Sequence, residues 1–147
     1  LAFPSPQAVA PGHAALIMED RNVTSEKFER GLALRKQVLG AEFVERSLAN
    51  ADDFSMPMQE LSTEYCWGHV WTREGLTLQQ RSLLNLGMIS ALNRPHELKL
   101  HVKAALRNGL TREQIREAML QVAIYCGVPA GIDSTRIARE AFAEFDR

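Results

Sequence analysis

The chain has 147 residues, a length that suits one compact domain and leaves too little for two separate cores. Hydrophobic residues at 46% and charged residues at 24% exclude a disordered or collagen-like chain and indicate a soluble globular protein. Lys+Arg 17 against Asp+Glu 18 gives a net charge of -1 with no basic run, so neither nucleic acid nor an anionic membrane is an expected partner. Cys66 and Cys126 lie far apart and form neither a CxxC pair nor a Cys/His zinc pattern. No metal is expected, and the two thiols read as buried groups of a reducing, cytoplasmic compartment.

Residues 1–22 hold three of the six prolines (Pro4, Pro6, Pro11) among Ala, Gly and Ser, which reads as a linker or extension ahead of a domain over 23–147. Ala14 to Met18 is too short an apolar stretch for a secretory signal, and Leu1 in place of Met reads as processing or an expression scar. Thr24 or Ser25 caps a predicted helix with Phe28, Leu32, Arg35 and Leu39 on one stripe, ending at Gly40. A short helical segment spans Phe43 to Leu48. Phe54, Met58, Leu61 and Tyr65 then recur at helical spacing, with Pro57 in the first turn and an end near Gly68.

Thr77 and Gln80 form a capping box before Leu83 to Leu92, a run apolar nearly all round, which predicts the most buried helix and the spine of the core. Asn93 is the expected cap of the next helix, with Pro95 in its first turn, Leu98, Val102 and Ala105 inward and Gly109 just past its end. A second capping box, Thr111 with Gln114, opens a helix carrying Ile115, Ala118, Met119, Val122 and Cys126, closed by Gly127. Pro129 permits a last helix to about Phe145. No alternating strand pattern occurs, so the predicted class is all-α, a bundle of about six to seven helices.

Arg94, Glu97 and His101 share one helical stripe bordering the core, and Glu97 with His101 are i, i+4 neighbours. A carboxylate so placed can fix the imidazole tautomer, the base-and-orienter arrangement of acid/base sites; the plainer reading is a surface helix pair. Glu64, Trp67, His69, Trp71, Arg73 and Arg81 have the composition of a wall that receives a small anion, or of a tryptophan core pair with surface arginines. Tyr125 and Gln121 add a hydroxyl and an amide on an apolar helix.

The segments RGLALRKQVLG, YCWGHVWTREGL, RSLLNLGMISALNRPHELKLHVKAALRNGLTREQI and MLQVAIYCGVPAGIDS, in order over about four-fifths of the chain, resemble the carboxymuconolactone decarboxylase family. Within it the sequence is most similar to the 4-carboxymuconolactone decarboxylases of aromatic-acid degradation. AhpD-like thiol peroxidases of the wider family carry Cys-x2-Cys-x3-His where this chain has Arg94, Glu97 and His101. Both thiols are replaced, which removes disulfide-exchange chemistry at that position.

The resemblance implies an AhpD-like helical fold that assembles into rings, commonly hexamers, and a cofactor-independent decarboxylation in the β-ketoadipate pathway. In the family's lactone substrate, electrons released with carbon dioxide flow through the ring double bond onto the lactone carbonyl, so no cofactor is required. Arg73, Arg81 and Arg94 are candidates for the retained carboxylate, and Trp67 and Trp71 for apolar walls around the departing one. His69, Glu64 and Tyr125 complete the candidate binding residues. His101 is assigned as proton donor with Glu97 favouring its protonated form, and the inverse, Glu97 as the acid, stays open. Two rivals remain: a thiol peroxidase using Cys66 and Cys126, and a non-catalytic helical oligomer.

Overall fold

The computed structural model describes residues 25–147, so the expected 1–22 extension, its boundary at 23 and Thr24 as a cap lie outside the described residues. Seven helices follow in these residues: α1 (Glu26–Leu39), α2 (Ala41–Ala49), α3 (Met56–Leu61, continuing as a π-helix over Ser62–Trp71), α4 (Leu78–Ala91), α5 (Pro95–Arg107), α6 (Arg112–Cys126) and α7 (Val128–Phe145). No strand occurs among the described residues, in keeping with the all-α reading. None of these helices is long and apolar enough to cross a membrane.

Local chemistry sets the helix ends. Ser25 Oγ accepts the Phe28 N–H at 3.1 Å, and both capping boxes, Thr77 with Gln80 and Thr111 with Gln114, close reciprocally. Asn93 is not the cap expected of it. The residue before a proline is driven out of the α region, so Arg94 takes φ -112° and ψ 78° and becomes the N-cap. The chain reverses one residue earlier, at Asn93, whose φ of 52° lies in the left-handed region that asparagine tolerates.

Two clusters of buried residues make the interior. Leu86, Leu98, Val102, Ile115, Met119 and Ile137 belong to the larger, contributed by α4 to α7. The smaller joins Val38, Leu39, Val44, Trp67, Trp71 and Ala104, from α1, α2, the π-helix and α5. Because α5 enters both clusters, it is the spine of the fold. The expected spine, α4, buries Ser82, Leu86 and Ser90 but leaves Leu84, Met88 and Leu92 exposed. Its apolar run was too uniform to define an inward stripe, and packing chose the face with two serines.

Two further expectations are corrected. Phe54, in the turn before α3, and Met58, Leu61 and Tyr65 beyond it are all exposed, Phe54 by 93%, while the buried side of the π segment, with Thr63, Trp67 and Trp71, is the one that meets α1. The helix also runs past Gly68 to Trp71 in π geometry. Gly68 is instead a point of backbone contact: a Cβ on Gly31 would overlap the Thr63 carbonyl oxygen and the Gly68 backbone. Finally, Cys66 and Cys126 are exposed free cysteines rather than buried ones, although Cys66 keeps its sulfur partly desolvated near Arg35.

On the outside, α5 is strapped to α7 by charge. Lys99 reaches Glu140 at 2.8 Å and Glu144 at 3.1 Å, and Lys103 reaches Glu144 at 2.9 Å. Hydrogen bonds from Lys103 and then Lys99 hold the Glu144 carboxyl down at about 2.

Candidate active site

His101 lies in the middle of α5, on the stripe between the helix faces that feed the two cores. Its Nδ1 is buried and has no hydrogen-bond partner among the described residues. Desolvation lowers the imidazole pKa below 6.5, and the Glu97 carboxylate one turn earlier opposes that fall through space. Burial therefore outweighs Glu97, against the expectation that the carboxylate would carry the ring to its protonated form. No hydrogen bond joins the exposed Glu97 to the ring. A partly buried imidazole with one nitrogen unpartnered among the described residues has the chemistry for proton transfer.

Arg94 stands two turns before His101, at the mouth of a cavity of about 370 Å³ whose wall includes Ser90, Leu98, Cys126 and Asp133. Neither Glu97 nor His101 belongs to that wall. The three stripe residues thus divide, with Arg94 on one opening and the acid/base pair beside it.

Trp67 and Trp71 stack at 4.7 Å between ring centroids with a 34° tilt and fill the smaller core, the plainer of their two sequence readings. The polar groups named with them are spread around that stack. Glu64 accepts the Ser25 hydroxyl at 2.8 Å, while His69 and Arg73 are exposed. Arg81 Nη2 donates to the Arg73 carbonyl at 2.9 Å, and its Nε is buried without a partner. Tyr125, 79% exposed, and Gln121 line a separate apolar groove of about 530 Å³ between α4 and α6. One chain does not gather all these residues around a single pocket.

Two residues escaped the sequence reading. Arg35 is only 6% exposed, donates from Nη1 to Thr63 Oγ1 at 2.9 Å and from Nη2 to Gln59 Oε1 at 2.8 Å, and meets no carboxylate among the described residues. Desolvation lowers its pKa, with Cys66 opposing. That same desolvation raises the Cys66 thiol, which Arg35 counters, so this cysteine is held as a thiol rather than activated. An arginine on an otherwise apolar stripe was the available signal. The second is Ser90, whose buried hydroxyl is unpartnered and sits in a helix read as uniformly apolar. Among the described residues no three His, Cys, Asp or Glu side chains gather as a metal site requires.

The sequence was compared with known proteins. It is 48% identical over 113 residues to nitrosuccinic acid decarboxylase of Metarhizium robertsii, covering 77% of this chain and 79% of that one. It is 36% identical over 119 residues to 4-carboxymuconolactone decarboxylase of Acinetobacter baylyi, covering 81% and 89%. An uncharacterized 15.0 kDa protein of Paracoccus denitrificans is 36% identical over 86 residues, covering 56% and 63%. The model of the carboxymuconolactone decarboxylase family matches residues 57–140, from α3 through most of α7 and across His101 and Glu97. The chain belongs to the carboxymuconolactone decarboxylase family.

Proposed function

We propose that this chain is a cofactor-independent decarboxylase that converts 4-carboxymuconolactone to the enol-lactone of 3-oxoadipate, with His101 as proton donor. The observation that carries this reading is the desolvated His101 imidazole beside Glu97, on the helix that both cores share. In the free protein the ring is mainly neutral at pH 7. A dianionic lactone bound next to it adds negative charge to that of Glu97 and draws the pKa back up, so the acid is formed where it is used.

In the proposed step the bond from the γ carbon to its carboxylate breaks and carbon dioxide leaves. The electron pair enters the ring and reaches the lactone oxygen as a dienolate. The imidazolium then delivers its proton to the ring α carbon, and solvent restores the proton afterwards. General acid catalysis of this kind contributes about 10²- to 10⁴-fold. An arginine, with Arg94 on the stripe of His101 the first of the three candidates, holds the retained carboxylate.

A second substrate is favoured by one observation, the higher identity to the nitrosuccinic acid decarboxylase. A nitro group adjacent to a carboxylate is also an electron sink, so the same proton donor serves if the chain acts on nitrosuccinic acid. The proposal extends to self-association, with a homohexamer as the expected form in the cytoplasm. It is supported by the exposed apolar residues Leu84, Met88, Leu92, Ile124, Val128 and Ile132, more than a lone protomer ordinarily leaves to water. Purified protein assayed with each acid, by loss of lactone absorbance or release of carbon dioxide, tests the activity. Turnover of the lactone supports the first reading and turnover of nitrosuccinic acid alone the second. Turnover of neither, by folded protein, overturns both.

A further inference from the structure

Where the end of α4, the turn into α5 and the first turn of α7 meet, the 370 Å³ cavity combines three features that select an anion. The first is Ser90, 6% exposed, with a buried Oγ that has no partner among the described residues. A serine inside a helix commonly returns its hydroxyl to the carbonyl one turn back, and this one does not. The second is the start of α7. Gly127, at φ 99°, has no side chain with which to cap it, the first turn contains no acid, and Pro129 supplies no N–H. Of the N–H groups left without intrahelical acceptors at the positive end of this 18-residue helix, that of Ala130 belongs to a residue of the cavity wall. The third is Arg94, exposed and without an ion-pair partner among the described residues.

Two opposing facts narrow the ligand. Asp133 is an acid on the same wall; Arg136 approaches it at 3.6 Å but is shared with Glu140 at 2.7 Å, so the charge of Arg94 is needed on that side. Leu98, Ile137 and Pro129 make much of the remaining surface, which suits hydrocarbon better than a fully hydrated oxyanion. We propose that this cavity binds the carboxylate of a small organic acid, with the Ser90 hydroxyl and the Ala130 amide donating to it and Arg94 supplying charge. The volume is at the lower end for ligand pockets, so an acid of a few carbons fits and a large ligand does not. The carboxylate can belong to the decarboxylase substrate or to a separate acid. The binding claim itself does not rest on the decarboxylase reading.

Calorimetric titration of the full chain with propionate, succinate and inorganic phosphate, in a buffer free of other carboxylates, tests the site. Saturable binding of propionate or succinate, tighter than phosphate, is expected. Ser90→Ala should weaken it about fivefold, the effect of one hydrogen bond to a ligand. Ala130→Asp, which places a carboxylate at a helix position that welcomes one, should abolish it without lowering the unfolding temperature. Absence of saturable binding, tighter binding of phosphate, or wild-type affinity in the stably folded Ala130→Asp variant would each overturn the proposal. If the chain turns over the lactone, competitive inhibition by succinate identifies the substrate's own carboxylate as the occupant, and non-competitive inhibition identifies a separate acid. Binding without any turnover leaves the site standing and removes only the decarboxylase reading.

Discussion

Helices α4 and α5 are neighbours of nearly equal length, and they put their polar residues to opposite use. In α4 the serines at 82 and 90 face inward while Leu84, Met88 and Leu92 face out. In α5 the apolar Leu98, Val102 and Ala105 face inward, and a polar stripe carries His101 into a desolvated position. The two cases show that burial follows what a face packs against rather than how apolar a helix is. A helix rich in leucine can leave several outside when a second surface is available to cover them, whereas α5, packed by cores on two sides, has no such freedom.

Substitutions on the α5 stripe should therefore change turnover and leave assembly alone, and the largest effect is expected at His101. His101→Ala should lower kcat by about 10²-fold or more, measured on folded protein of unchanged oligomeric mass. Glu97→Gln should lower kcat less, and the double variant should be little worse than His101→Ala, since the two act as a unit. A greater loss from Glu97→Gln would invert the roles. The pH profile sharpens the same point. If the imidazolium is the donor, kcat/KM should fall with rising pH from a pKa below 6.5, that of the free protein, and kcat should fall at higher pH because bound substrate raises that pKa.

The outward face of α4 should behave in the reverse manner. Leu84→Glu combined with Ile124→Glu should reduce the particle to the 16.5 kDa protomer by sedimentation while the far-UV spectrum stays helical. Each buried leucine at such an interface contributes about 1.5 to 3 kcal/mol. A monomeric wild type would show instead that this face is left to water.

Acid should loosen the strap between α5 and α7. The Glu144 carboxyl is lowered from 4.5 to about 2 by Lys103 and Lys99, so its contribution is complete above pH 4.5 and lost as pH falls toward 2. His101, buried neutral, adds a decline that begins as pH drops below 6.5, because the unfolded chain takes up that proton more readily. Thermal unfolding followed against pH should show both declines, and Glu144→Gln should shrink only the lower one, to which Glu140 on Lys99 also contributes.

Smaller changes are expected elsewhere. Arg94→Lys should raise KM several-fold by removing the planar fork, whereas Arg73→Lys, away from the cavity that Arg94 lines, should change little. Cys66→Ser with Cys126→Ala should leave turnover close to wild type, since no proposed step uses a thiolate; loss of turnover in the folded double variant would revive thiol chemistry.

Helix ends were the most legible part of the fold. Capping boxes and glycines act within four residues, so the chain announces them locally, and Thr77, Thr111, Gly40 and Gly127 stand where the sequence placed them. Which face turns inward was less legible, as α4 and the stripe from Phe54 to Tyr65 show, because it depends on partners remote in sequence. At the candidate site the i, i+4 pairing of Glu97 with His101 was visible, but the balance between desolvation and charge was not, since burial is a property of the surrounding helices. Ser90 was missed because its importance lies in a partner it lacks, and Arg35 because its partners, Thr63 and Gln59, lie remote in sequence.

The π-helix over Ser62–Trp71 bears on how this protein can change over time. Hydrogen bonds that span five residues instead of four hold about one more residue in each turn than an α-helix does. Deleting a single residue there would let the segment wind more tightly toward α geometry, and the tighter winding offsets most of the roughly 100° of rotation lost with the residue. The residues after the deletion would keep much of their register against α1. A one-residue deletion, the mildest change of length a gene can undergo, should thus be less damaging in this segment than inside the regular helices α4 to α7, where nothing offsets the lost rotation.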